Sequence, residues 1–315
     1  MTFPLIRALK LLAPLAELTY AVRTPWVNLF RGQKGVDRVI ALPEAFSQQS
    51  QLLASIHPDL IIDPQTDPEM KTPRLCQKSQ AQWRIGFSGY GRERYFTTYR
   101  TPPGKDRHFS QGVLELLGLW DHAAREPVIP PFLEIPPAVR SWWRTRLEEI
   151  PDLSHGYVCI HPGGFYRTQR WPLGRFYQLA ERIQKELGQQ VVWCWDGSSK
   201  ADDSFRSPLS TDDRKVIPFS GLTIDQLAAV VGNAQIFIGN NSGPLHLACA
   251  LATPTISLMG PTLPDRWWPI GENHKVLRLG VACSPCSLGR CSHHTCLRAL
   301  DVDLVFKVVR DESLL

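Results

Sequence analysis

The chain has 315 residues, with 35 Lys and Arg against 30 Asp and Glu and a formal net charge of +5. That length suits about two domains of roughly 100–200 residues each, with cores large enough to fold without disulfide or metal. Hydrophobic residues make up 43% and charged residues 21%, the balance of a globular protein; the small basic excess permits an anionic ligand, but no Lys/Arg run points to nucleic acid as a partner.

Residues 4–12 place Leu5, Ile6, Leu9 and Leu12 on one helical face with Arg7 and Lys10 opposite. The charges interrupt the apolar run, unlike a signal peptide, and predict an amphipathic surface helix. No stretch reaches the roughly 18 uncharged apolar residues of a membrane span. The expected location is therefore cytoplasmic, with peripheral contact at the inner face of the cytoplasmic membrane as the most that is expected. Strands are predicted at 17–22, 38–42, 60–63 and 83–87, and helices at 26–32, 45–56, 69–78 and 109–120. Strands separated by helices at this rhythm indicate parallel βαβ units.

Pro127, Pro130, Pro131, Pro136 and Pro137 then favour an extended connector. They place the end of a first domain, residues 1–137, and the start of a second, residues 138–315. A helix at 138–149 has Trp142, Trp143 and Leu147 as its buried side. The rhythm restarts with strands at 157–160, 190–195, 216–218, 236–238 and 255–259, and helices at 175–187, 223–231 and 244–251. The expected fold is α/β, with two Rossmann-like domains whose parallel sheets face a central cleft, where ligands of such sheets sit.

Three loops in the second half carry candidate chemistry. His161-Pro-Gly-Gly-Phe-Tyr-Arg-Thr-Gln-Arg-Trp-Pro172 follows a strand and precedes a helix entered near Leu173 or Gly174. Gly163 and Gly164 let backbone N–H groups approach a ligand, and Arg167 and Arg170 add positive charge. A βα turn with its arginines in solvent explains the segment equally well. Gly239-Asn-Asn-Ser-Gly-Pro-Leu-His-Leu-Ala248 follows the strand at 236–238. Ser242 is a natural N-cap, Gly243 and Pro244 open the helix, and its first turn is an anion site within reach of His246. A well-capped helix with a satisfied histidine is the plainer alternative. Met259-Gly-Pro-Thr-Leu-Pro264 ends a further strand, and Trp267 and Trp268 after it suit either stacking on a ligand or packing on a helix.

Eight cysteines are present, and Cys76, Cys159, Cys194 and Cys249 are scattered in the manner of inert core thiols. Cys283, Cys286, Cys291 and Cys296 fall within 14 residues, with His293 and His294 among them. Four such thiols suit a tetrahedral structural Zn or Fe. A redox-labile disulfide, or a thiol-rich loop with neither, fits the spacing too.

In their order and spacing, Pro-Gly-Gly…Arg-Trp-Pro, Asn-Ser-Gly-Pro-Leu-His-Leu-Ala and Gly-Pro-Thr-x-Pro resemble the donor-binding domain of family-9 glycosyltransferases of the ADP-heptose:lipopolysaccharide heptosyltransferase type. The cysteine cluster recurs at that position in many members. In the first half, Pro4-Leu-Ile-Arg-Ala-Leu, Val36-Asp-Arg-Val-Ile40 and Arg84-Ile-Gly-Phe87 fit the same pattern. The resemblance implies a GT-B fold with the donor held mainly by the second domain and the acceptor by the first. It implies inverting transfer of a heptose or similar sugar from ADP-heptose to lipopolysaccharide core or a related glycan, with no required cofactor. The donor residues it implies are Gly163, Gly164, Arg167, Gln169, Arg170, Asn241, Ser242, Gly243, Pro244 and His246.

Three positions depart from the family pattern. The family opens with a strand and a Gly-Asp loop whose Asp is the general base; here the helix at 3–12 follows Met1 directly, so that base is expected upstream of Met1, beyond a misassigned start. The Lys before Arg-Trp-Pro is Gln169, and the Asp of Asp-Ser-Gly-Pro is Asn241. These departures keep two rivals open: a non-catalytic nucleotide-sugar-binding relative, and another GT-B enzyme such as a nucleotide-sugar 2-epimerase.

Overall fold

A computed structural model describes residues 2–118, 132–195 and 216–313. The chain divides into two compact units, Met1–Pro131 and Phe132–Leu315. The division falls before Pro136 and Pro137 because the segment ahead of them belongs to the second unit. Leu133 N donates to Ala250 O at 2.7 Å, and Ile135 fills the space beside Gly232. Pro127, Pro130, Pro131 and the end of the helix expected at 109–120 lie outside the described residues.

The first unit runs α1 (Phe3–Leu12), β1 (Thr19–Arg23), α2 (Val27–Phe30), β2 (Arg38–Leu42), α3 (Phe46–Ser55), β3 (Leu60–Asp63), α4 (Lys71–Lys78), β4 (Trp83–Phe87), β5 (Thr98–Arg100) and α5 (Phe109–Gly112). Among the described residues all its strand pairs are parallel. β1 pairs with β2, and β3, β4 and β5 form a separate three-stranded ladder. Helix α1 buries Pro4, Leu5 and Ile6, but Leu12 is 58% exposed, so its apolar face covers the core only over the first two turns. The expected helix at 109–120 is one α-turn, α5, followed by a 3-10 stretch, Val113–Leu117.

The loop after β3 is held by a buried cation. Arg92 donates to Asp63 Oδ2 at 2.7 Å and to the carbonyls of Gln65, Asp67 and Glu69. Burial pushes the Asp63 carboxyl up, against the pull of the Arg92 guanidinium.

The second unit runs α6 (Pro137–Glu149), β6 (Tyr157–His161), α7 (Leu173–Leu187), β7 (Gln190–Trp195), β8 (Val216–Ser220), α8 (Ile224–Gly232), β9 (Ile236–Asn240), α9 (Gly243–Ala250), β10 (Thr255–Leu258), α10 (Pro264–Trp267), β11 (His274–Leu277), α11 (Thr295–Arg298) and α12 (Val302–Ser313). Among the described residues its six strands form one parallel sheet in the order β11-β10-β9-β6-β7-β8. Successive strand residues face opposite sides, and both sides are covered. Val158 and Ile160 pack with Phe176, Leu179 and Ile183 of α7 and with Val305, Phe306 and Val309 of α12. Cys159 and Phe237 pack with Trp143 of α6, Leu227 and Val230 of α8 and Leu245 of α9. A parallel sheet buried on both faces reads as unbroken apolar runs, as in Tyr157-Val-Cys-Ile160. Among the described residues no helix is long and apolar enough to cross a membrane.

Candidate functional site

The order of the sheet puts three loops side by side at the carboxyl ends of β6, β9 and β10, the two central strands and their neighbour. They are the three loops singled out in the sequence. Asn240, the last residue of β9, joins the first two. It is fully buried; its Nδ2 donates to Pro162 O at 2.7 Å and Gly163 O at 3.0 Å, and its Oδ1 accepts from Trp171 N at 2.8 Å. Sequence reasoning favours Asn241 and misses Asn240, whose signal is the doubled Asn at a strand end. Trp171 is 1% exposed, and its Nε1 donates to Leu300 O. The loop is thereby fixed at both ends, and Pro172 stands at the N-cap of α7, as expected.

Within residues 162–170 the two glycines differ in role. A Cβ on Gly163 would lie 2.6 Å from His161 Cε1, so this glycine makes room for a neighbouring ring inside the protein. A Cβ on Gly164 would lie 3.2 Å from Arg170 Cγ, because Arg170 Nε donates to Gly164 O at 2.8 Å. Arg170 is therefore folded back over the glycine pair, whereas Arg167 is exposed. Gln169, in place of the expected Lys, holds the loop together. Its Oε1 accepts from Tyr166 N at 3.3 Å, and its Nε2 reaches Thr262 Oγ1 at 3.5 Å. The amide thus closes the turn 166–169 and touches the third loop.

At α9 the expected cap geometry is altered. Ser242 occupies the N-cap position, but its hydroxyl donates to Asn240 O at 3.2 Å and makes no cap hydrogen bond to the helix. Leu245 N and His246 N both point to Ser242 O, and Pro244 has no N–H. The first-turn donor toward an incoming anion is then the amide of Gly243, at the positive end of the helix dipole. Gly243 is exposed, and a Cβ there would meet nothing within 4 Å. Asn241 is buried; its Nδ2 donates to Trp267 O at 3.0 Å, which ties α9 to α10. The Trp267 ring stands 6.0 Å from that of His246 and is engaged in packing, while Trp268 is 44% exposed. Arg266, overlooked in the sequence, lies over the Trp267 ring at 5.6 Å, and partial burial draws its guanidinium pKa down.

Cys283, Cys286, Cys291 and Cys296 line one cavity of about 160 Å³ together with His293, His294, Thr168, Pro261 and Leu288. Burial pushes the Cys296 thiol up, and the nearness of the other three thiols adds to it. Among the described residues, however, no three His, Cys, Asp or Glu side chains are disposed to hold a metal ion. As placed, the four thiols line a shared pocket. What the segment visibly does is brace the site. Cys286 N and Ser287 N donate to Pro261 O, Thr168 Oγ1 donates to Leu288 O at 2.6 Å, and His294 Nε2 sits 2.7 Å from Thr168 O.

The chain is similar to known proteins along much of its length. The model of glycosyltransferase family 9 (heptosyltransferase) matches residues 59–296. Lipopolysaccharide heptosyltransferase 1 of Pseudomonas aeruginosa is 29% identical over 46% of this chain and 41% of its own length. Lipooligosaccharide heptosyltransferase 2 of Campylobacter jejuni is 33% identical over 48% and 49%. The chain thus spans about half the length of the curated relatives it matches. The solved structure of Escherichia coli ADP-heptose lipopolysaccharide heptosyltransferase II shares the fold, with a TM-score of 0.79 at 19% identity over 99% of this chain and 94% of that one. The family-9 glycosyltransferase structure from Veillonella parvula gives 0.83 at 20% identity over 99% and 92%. With the family model matching well over half of the sequence, the chain belongs to glycosyltransferase family 9.

Proposed function

We propose that this protein transfers a heptose, or a closely similar sugar, from ADP-heptose to lipopolysaccharide core or a related glycan, with inversion at the anomeric carbon. The observation that carries the reading is the fusion, through Asn240, of the Gly163–Gly164 loop to the strand that leads into α9. A diphosphate would lie across the backbone of that loop and the Gly243 amide. Arg170, anchored on Gly164 O, supplies positive charge where the departing diphosphate gains negative charge, and stabilising that charge lowers the barrier. No metal enters the reading, and no described residue is assigned as the base. The sugar donor and the acceptor are carried over from what the similar proteins are named for.

Gln169 supports a second reading. Its neutral amide is spent on Tyr166 N and Thr262, so the charge-assisted contact that a Lys would make is absent at this position. On that reading the protein binds the nucleotide sugar without turning it over. Incubating the purified chain with ADP-heptose and a heptose-deficient lipopolysaccharide core, and measuring ADP release and heptosylated product, separates the two. Product with inverted configuration supports transfer; ADP-heptose binding without product supports the second reading; no binding contradicts both.

A further inference from the structure

Directly after the glycine pair, the loop carries two aromatic side chains in an unusual position. Phe165 is 82% exposed and Tyr166 is 46% exposed. Their rings meet edge to face, with centroids 4.7 Å apart and planes at 89°. Such a pair is a favourable arrangement in itself, but it leaves the Phe165 ring almost wholly in water.

The pair is also held in place. Tyr166 N donates to Gln169 Oε1, and the Tyr166 ring lies so close to Gly289 that a Cβ there would come within 2.9 Å of Cδ1. Gly289 belongs to the cysteine-bearing segment, which is itself bonded to Pro261 after β10. The Tyr166 ring therefore stands beside the segment that is bonded to the loop after β10. A rigid prop beneath an exposed ring is the architecture of a binding platform, since side-chain entropy is spent before the ligand arrives.

We propose that Phe165, propped by Tyr166, is the platform on which the transferred sugar of the donor packs its C–H face. The inference rests on the donor-site reading above. Two considerations select the sugar over the base. The sugar is bonded directly to the diphosphate, whereas the base stands beyond the ribose, and Phe165 is the residue next to the glycine pair. Tyr166 also carries a hydroxyl, and it is partly exposed, so a donor suited to sugar hydroxyls stands beside the Phe165 ring. Electropositive C–H groups of a sugar meet the negative face of an aromatic ring.

Calorimetric titration of the full chain with ADP and with ADP-heptose tests this. Phe165→Ala is expected to weaken ADP-heptose binding by about three- to tenfold while ADP binding stays unchanged, and Phe165→Trp is expected to keep both. Because the ring is exposed, the alanine variant should unfold at the wild-type temperature. Equal loss of ADP and ADP-heptose would overturn the proposal by placing the base on the ring, and no loss of either would overturn it by leaving the ring without a ligand. If the wild-type chain binds neither compound, the donor-site reading itself fails and takes the platform with it.

Discussion

Replacing Asn240 by alanine removes three contacts from the centre of the second unit at once. Trp171 N loses its acceptor, and Pro162 O and Gly163 O lose their shared donor. Each buried group left without a partner costs about 1–3 kcal/mol. The two carbonyls share one amide, and a water entering the polar gap would restore part of the loss, so the net cost works out at about 2–4 kcal/mol. For a unit of this size each kcal/mol moves the midpoint by roughly 2–4 °C, which gives a drop of about 4–16 °C. Scanning calorimetry of the full chain reads it, with the two units treated as separate transitions. Asn240→Asp sharpens the test. It still accepts from Trp171 N, but sets a carboxylate oxygen against two carbonyls, and should be no more stable than the alanine variant. An alanine variant melting within about 2 °C of wild type, or an Asp variant as stable as wild type, would refute the account of the loop.

Four further outcomes are expected. Gly163→Ala drives a methyl against the buried His161 ring and should cost about 1–3 kcal/mol, read by thermal unfolding; Gly243→Ala meets open space and should leave stability unchanged while weakening ADP binding. Burial draws the His274 pKa down from the ordinary histidine value, so the unfolded state takes up a proton first as the pH falls. Stability should accordingly be intact above about pH 6.5 and decline below it as the pH drops toward the folded value, and His274→Gln should flatten that decline in pH-dependent calorimetry. Arg92→Ala strands buried Asp63 and three carbonyls and should cost about 3–5 kcal/mol in urea unfolding of the first unit.

Much of the fold was legible because the strands are short apolar runs bounded by turn residues: 38–42, 60–63, 83–87 and 190–195 match β2, β3, β4 and β7 residue for residue. The strands passed over, Thr98–Arg100 and His274–Leu277, stand at ladder edges with mixed polar composition, so no apolar run marks them. Helix Val302–Ser313 does carry a legible stripe in Val305, Phe306 and Val309, and went unread. The three candidate loops were visible from their glycines and prolines, but the work of single residues was not. Asn240 acts on residues 69 to 78 positions away, and no local pattern reveals that. Likewise Ser242 in the N-cap position predicts a cap that the hydroxyl forgoes for Asn240 O, and the cysteine spacing, open to a metal, a disulfide or neither, does not reveal that the four thiols share one pocket.

The most direct test of the central claim is a crystal structure of the chain with ADP. The account predicts the diphosphate across the Gly163–Gly164 backbone and the Gly243 amide, with Arg170 alongside. A diphosphate bound elsewhere, for instance in the open groove between Arg175, Arg182 and Asp303, with the Gly243 amide left to solvent, would contradict it.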